Sequence, residues 1–125
     1  MRTLLVAEDN PKNMRLLKLV LRPAGDRLLE ATDGEQALQL ALREKPDVIL
    51  MDVQLPHKSG IDVMQELRDH SGFASTPIIA LTAHAMKGDR ERFLALGFTG
   101  YIAKPINTRT FLEEMEAIVR GGAGP

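Results

Sequence analysis

The sequence predicts an α/β domain, a five-stranded parallel sheet with five helices packed on both faces. Three observations carry this expectation. Short apolar runs at Thr3 to Ala7, Asp47 to Met51 and Ile78 to Leu81 have the character of strands covered on both sides. Between them lie longer stretches whose apolar residues recur at helical spacing. The two patterns alternate strictly, and 125 residues is the usual length of one domain.

The elements follow in chain order. Thr3 to Ala7 stops at Glu8 and Asp9. Asn10 before Pro11 reads as an N-cap with proline at the first helical position; Met14, Leu17 and Leu21 give the inward stripe of a first helix that ends near Gly25. Leu28 to Ala31 is the second strand. Asp33, with Gln36 three residues on, forms a capping box for a second helix that turns Ala37, Leu38, Ala41 and Leu42 inward and stops at Pro46. Asp47 to Met51 is the third strand and ends at Asp52. Gln54 to Gly60, with Pro56, is a loop, and Ser59 caps a third helix in which Ile61, Met64 and Leu67 share a face. Ile78 to Leu81 leads to Thr82. A fourth helix takes Met86, Phe93 and Leu94 inward and ends at Gly97. Gly88 weakens it by roughly 1 kcal/mol relative to alanine, which makes it the helix most prone to move. Tyr101 to Ala103 is a short fifth strand before Lys104 and Pro105. Asn107 or Thr108 caps the fifth helix, whose stripe is Phe111, Leu112, Met115, Ile118 and Val119. The domain is expected over residues 1 to 120, with Gly121 to Pro125 a fraying tail. Right-handed crossovers reduce the layouts to few, and the natural one is the flavodoxin-like order 2-1-3-4-5.

Composition narrows the function. With no cysteine, disulfides, cysteine-ligated metal centres and thiol catalysis are excluded. Sixteen Lys and Arg against seventeen Asp and Glu leave a net charge of -1, which argues against direct binding of nucleic acid. No apolar run approaches membrane-spanning length and the N-terminus lacks a secretory signal, so a cytoplasmic protein away from membranes is expected.

In such sheets functional groups collect at the carboxyl ends of the strands. Those positions hold Glu8 and Asp9, Asp52, Thr82 and Lys104. Taken singly, Asp9 reads as a turn residue, Thr82 as a strand-end hydroxyl and Lys104 as a surface lysine. Asp52, directly after VILM, is costly at the edge of a core unless paired or coordinated. The conjunction points to phosphate and metal chemistry. Two carboxylates about 4 Å apart repel by roughly 4 kcal/mol at an effective dielectric near 20, so Glu8, Asp9 and Asp52 call for a proton or a cation. An all-oxygen ligand set suits Mg²⁺ better than zinc. Lys104, the Thr82 hydroxyl and the Ala83 N–H then face phosphoryl oxygens, with an aspartate as nucleophile.

These residues resemble the receiver domain of bacterial two-component response regulators from about Thr3 to Val119. The resemblance rests on Glu8-Asp9-Asn10-Pro11, Met51-Asp52-Val53-Gln54-Leu55-Pro56 with Ser59-Gly60, Leu81-Thr82-Ala83 and Lys104-Pro105. Within the family, Asn13-Met14, Ala85-Met86-Lys87-Gly88-Asp89 and Tyr101-Ile102 are most similar to the single-domain DivK-type regulators, and similar fourth helices occur in receivers of hybrid kinases. The resemblance implies a CheY-like fold with Asp52 as phosphoacceptor. It implies Mg²⁺ held by Asp9, Asp52 and the Gln54 carbonyl, with Glu8 acting directly or through water, and Lys104 on the phosphoryl group. It further implies Thr82 and Tyr101 as a switch pair, a cis Lys104-Pro105 bond, and Gln54 and His84 as positions that tune dephosphorylation. Glu8 departs from the commonest form, which has Asp there.

The implied partners are a sensor histidine kinase or histidine phosphotransfer protein upstream and, because only Gly121 to Pro125 follow the fifth helix, a protein target downstream. The target would meet the fourth helix, fifth strand and fifth helix. Met86, Phe98 and Tyr101 are candidates for that face, with packing under the fourth helix an equal reading of Phe98. The expected protein is a self-modifying phosphoacceptor rather than a turnover enzyme; a receiver cut from a larger hybrid kinase or multidomain regulator is the alternative. An aspartate-nucleophile phosphatase needs a second carboxyl two residues after the nucleophile, where this chain has Gln54. A flavin-binding module needs free N–H groups after the first strand, where Glu8 and Asp9 repel phosphate.

Overall fold

The computed structural model describes residues 1–83 and 86–121. Strands β1 (Thr3–Ala7), β2 (Arg27–Ala31), β3 (Val48–Asp52), β4 (Ile78–Thr82) and β5 (Gly100–Ala103) form one parallel sheet in the order β2-β1-β3-β4-β5. Helices α1 (Pro11–Leu21), α2 (Gly34–Glu44), α3 (Gly60–Arg68), α4 (Asp89–Leu96) and α5 (Phe111–Val119) connect and follow the strands. This is the architecture and strand order that the alternating pattern predicts.

Strand alternation divides the core into two layers. On one face Leu5, Ala7, Ile49, Met51, Ile78 and Ala80 pack against α2, α3 and α4 through residues such as Ala37, Met64, Leu67 and Phe93. On the other, Leu4, Val6, Leu50, Leu81 and Ile102 meet Leu17 of α1 and Phe111, Met115 and Ile118 of α5. At the amino end of the sheet, Arg2 donates to both carboxylate oxygens of Asp26 and to Glu116, tying β1, the entry to β2 and α5 together.

Several local expectations need correction. Asn10 caps α1 as expected, accepting from the Lys12 and Asn13 N–H groups, and Ser59 caps α3 by accepting from Asp62. At α2, Asp33 accepts from Gln36 N–H, but the Gln36 side chain accepts from Thr32 rather than from Asp33. In α3, Val63 is buried where Ile61 was expected, Ile61 being half-buried. Neither Asn107 nor Thr108 is the N-cap of α5: the Asn107 side chain accepts from Arg109 and its carbonyl from Thr110 and Phe111, closing a turn that delays the helix to Phe111. Met86 lies before α4 and is 71% exposed, so it does not contribute to the inward stripe. Phe98 is only 3% exposed and meets Phe93 edge-on at 5.8 Å, which removes it from the candidate contact face. Residues 122–125 of the expected tail lie outside the described residues.

Candidate functional site

The sheet register decides which side chains meet. Ala7 pairs with Met51, so Glu8 and Asp52 are neighbours across adjacent strands. Thr82 pairs with Ala103, and Lys104 N–H donates to the Thr82 carbonyl at 2.7 Å, holding Lys104 one step beyond the sheet. Glu8, Asp52 and Lys104 continue the alternation of Val6, Leu50 and Ile102, and they converge on one side of the carboxyl edge. Thr82 continues the opposite face with Ala80, the layer against which Tyr101 packs.

The charged side chains are in direct contact. Lys104 Nζ lies 2.6 Å from Asp52 Oδ2 and 2.6 Å from Glu8 Oε1. Asp52 Oδ1 accepts from Gln54 N–H at 2.9 Å, and Glu8 Oε2 accepts from Asn10 N–H at 3.1 Å. Glu8 is 1% exposed and Asp52 is buried, whereas Asp9 is exposed. Carboxylate oxygens of Glu8, Asp9 and Asp52 lie within 4.8 Å of one another. Three carboxylates against one ammonium leave the cluster negative, open to solvent on the Asp9 side.

Burial pushes the Glu8 carboxyl above its ordinary range, with Lys104 and the Asn10 N–H opposing the rise and Asp52 adding to it. Lys104 is pulled down by its own desolvation, but contacts with Asp52 and Glu8 outweigh this and raise it. Among the described residues Glu8 Oε1 meets only the Lys104 ammonium, in an ion pair at 2.6 Å. Three carboxylates sharing a single ammonium, in an all-oxygen cluster open on the Asp9 side, fit a hard divalent cation that keeps part of its water shell.

Two close backbone approaches hold the loop after β3. A Cβ on Gly60 would stand 2.1 Å from the carbonyl oxygen of Asp52, and the Gly60 N–H donates to Val53. A Cβ on Gly34 would stand 1.8 Å from the Lys58 carbonyl oxygen, and its N–H donates to Pro56. Only glycine permits these contacts, so residues 53–59 are clamped between the starts of α2 and α3. Gly34 is not among the expected site residues; its signal in the sequence is a glycine directly after the Asp33 cap.

The remaining expected site residues are spread around this cluster. Thr82 is buried at the end of β4 and Ala83 is exposed just beyond it. The Tyr101 ring is half-buried, 5.7 Å from the Phe93 ring of α4. The Lys104-Pro105 peptide bond is cis. His84 lies outside the described residues.

Comparison with known proteins decides the family. The sequence model described as "Response regulator receiver domain" matches residues 4–116. The chain belongs to this receiver family. Response regulator DivK of Brucella anthropi is 40% identical over 116 residues, covering 93% of this chain and 94% of that protein. Among solved structures, chemotaxis response regulator CheY4 of Vibrio cholerae superposes with a TM-score of 0.87 at 30% identity, covering 94% of this chain and 98% of that one. The receiver domain of sensor histidine kinase PA1611 from Pseudomonas aeruginosa has a TM-score of 0.82 at 38% identity, with 96% of each chain covered, and its structure holds a magnesium ion in the active-site cleft. Receiver domains bind Mg²⁺ at an acidic site, and this receiver carries such a cluster. Among the described residues no helix is long and apolar enough to cross a membrane.

Proposed function

We propose that this receiver accepts a phosphoryl group on Asp52 and uses it to reshape a protein-binding surface. The observation that carries the reading is Asp52 itself, a buried carboxylate 2.6 Å from Lys104 Nζ and inside the Glu8, Asp9 and Asp52 cluster. The donor is a phosphohistidine on a sensor kinase or phosphotransfer protein. A carboxylate oxygen of Asp52 attacks phosphorus, the bond from phosphorus to imidazole nitrogen breaks, and the Asp52 acyl phosphate forms; water later releases inorganic phosphate and restores the carboxylate.

Asp9, Asp52 and the Gln54 carbonyl, with Glu8 directly or through water, would hold Mg²⁺, which when bound neutralises charge on the phosphoryl oxygens. Lys104 and the Thr82 hydroxyl and Ala83 N–H serve the remaining oxygens. Gln54 already fixes Asp52 through its N–H, and its side chain, with His84, is the position from which water access to the phosphate is tuned. Phosphorylation adds about -1.5 to -2 charges beside Lys104 and Thr82. Movement of Thr82 toward that charge lets Tyr101, on the same layer, follow and changes the face of α4, β5 and α5. A cytoplasmic setting accords with such partners.

Intact-mass measurement after acetyl phosphate and Mg²⁺ tests the chemistry. One phosphate should appear on the wild type and none on Asp52→Asn; equal labelling of both would remove Asp52 as the acceptor. The likeness to the receiver of a sensor kinase supports a second reading, in which this domain works within a larger kinase chain. An antibody to the domain would then detect, in cell extracts, only a band much larger than 125 residues.

A further inference from the structure

Helices α1 and α5 pack side by side on one face of the sheet and carry opposite charge. From Pro11 to Arg22 the chain has Lys12, Arg15, Lys18 and Arg22, all exposed, and no acid. From Phe111 to Val119 it has Glu113, Glu114 and Glu116 and no Lys or Arg. Lys18 pairs with Glu30 and Glu116 with Arg2. Among the described residues the other cations of α1, and Glu113 and Glu114 of α5, enter no ion pair.

The two helices run the same way. Helix α1 leads from the carboxyl end of β1 to the amino end of β2, and Arg2, just before β1, reaches Glu116 in the second half of α5. Both therefore descend from the carboxyl edge of the sheet to its amino edge. The face they form has a knob and a hollow. Leu19, the most exposed apolar side chain of α1, is 56% exposed and lies away from the buried Met14, Leu17 and Leu21. Beside α5 is a groove of about 790 Å³ lined by Leu112, Glu113, Glu116 and Ala117, with Arg109 before the helix and Arg120 after it. Ala24 lines it from the 3₁₀ turn Arg22–Ala24 that ends α1, so Leu19, little more than one helical turn earlier, stands level with the middle of the groove.

We propose that a second copy of this chain covers this face, in a two-fold pair whose axis is parallel to the helices. Such an axis lays α1 of each copy along α5 of the other, whereas an axis across the helices sets α1 on α1, cation against cation. Leu19 of one copy enters the groove of the other and Arg15 meets Glu113, each contact made twice because the interface is isologous. A net charge of -1 leaves little overall repulsion between copies. An eleven-residue helix is about 16 Å long, so the area covered lies at the small end of protein interfaces. Arg109 and Arg120 also oppose the incoming α1. The pair is therefore weak and forms as concentration rises. It stands without phosphorylation at Asp52, and its test uses none.

Sedimentation equilibrium of the full chain at low ionic strength, from micromolar to millimolar protein and without a phosphodonor, compares wild type, Arg15→Glu, Glu113→Arg and an equimolar mixture of the two variants. Wild type should move from monomer toward dimer across that range. Each variant alone should have its dissociation constant raised roughly tenfold, because two attractive pairs become repulsive. The mixture should associate at least as well as wild type, since the reversed helix of one variant then meets that of the other. A wild type that stays monomeric at millimolar concentration overturns the second copy as the occupant of this face. A dimer that neither variant weakens overturns the face itself, and variants weakened singly but not restored by mixing overturn the pairing of α1 with α5. Should a variant fail to fold, amide shifts of the wild type on dilution decide: changes confined to α1, the 3₁₀ turn and α5 support the pair, and changes centred on α4 and β5 overturn it.

Discussion

Removing the ammonium at the centre of the site gives the sharpest measure of what it compensates. In Lys104→Met the Glu8 and Asp52 carboxylates, both buried, stay within 4.8 Å of each other with no cation between them. At that separation and an effective dielectric near 20 the repulsion is about 3.5 kcal/mol. Losing one member of a buried ion pair typically costs about 3–5 kcal/mol, which describes the same loss from the other side and is not added to it. Lys104 keeps some access to water, so the lower end applies, about 3 kcal/mol at pH 8 without divalent cations. For a chain of 125 residues this lowers the melting temperature by roughly 10 °C. The cost also depends on pH. The folded-state pKa of Glu8 is raised, so between the ordinary carboxylate range and that raised value the folded state binds more protons than the unfolded one. Stability is therefore lost as pH rises through the window and regained on acidification. The Lys104→Met penalty should be smaller at pH 5.5 than at pH 8, because acidification favours the protonated form of the buried Glu8. Adding Asp52→Asn should recover most of it at pH 8. Urea unfolding of the single and double variants at the two pH values is the assay; a Lys104→Met protein as stable as wild type at pH 8, or a penalty that grows on acidification, would refute the reasoning.

Further outcomes follow from the same contacts. At constant ionic strength Mg²⁺ should stabilise the fold, and so raise the melting temperature, by about 2.7 kcal/mol at a hundred times its dissociation constant and logarithmically with concentration beyond it. Asp9→Asn should weaken this while raising the metal-free melt, because it removes one of the crowded carboxylates. Lys104 has a raised folded pKa, so its contribution is complete below the ordinary lysine value and fades as pH rises through the folded one; alkaline unfolding should begin earlier in Asp52→Asn than in wild type. Gly60→Ala, which drives a methyl into the Asp52 carbonyl, should cost about 3 kcal/mol or more in denaturant unfolding, whereas Gly72→Ala, with open space around it, should be neutral or stabilising by about 0.5 kcal/mol. Arg68→Met should destabilise by about 3 kcal/mol, because carbonyls of Phe73, Thr76 and Gly97 lose a charged donor.

The strands and helices were legible because burial on both faces demands runs such as VILM at Ile49 and its neighbours, and burial on one face demands stripes such as Met14, Leu17 and Leu21. The site residues were legible for a related reason. A carboxylate, hydroxyl or ammonium placed where an apolar strand stops must lie at the carboxyl edge of a parallel sheet, whatever its partners. The misreadings fell where apolar character did not determine position. Met86 and Phe98 are comparable apolar residues flanking α4, yet one is exposed and the other buried, because a turn closed by Asp89 precedes the helix and Phe93 covers Phe98. The late start of α5 likewise reflects a backbone turn at Asn107 that many sequences would accommodate.

The order of residues along the chain therefore determined the layers, the strand ends and the inventory of charged groups, since these depend on local periodicity and on where apolar runs end. Tertiary structure alone decided that Lys104 pairs with Glu8 as well as Asp52, that Gly34 and Gly60 clamp the loop between them, and that Asp89 and Arg68 hold opposite ends of α4. Those contacts join residues distant in sequence or depend on a register and on a carbonyl oxygen standing 1.8 to 2.1 Å from where a Cβ would be, and such distances exist only once the sheet has formed and its helices have packed.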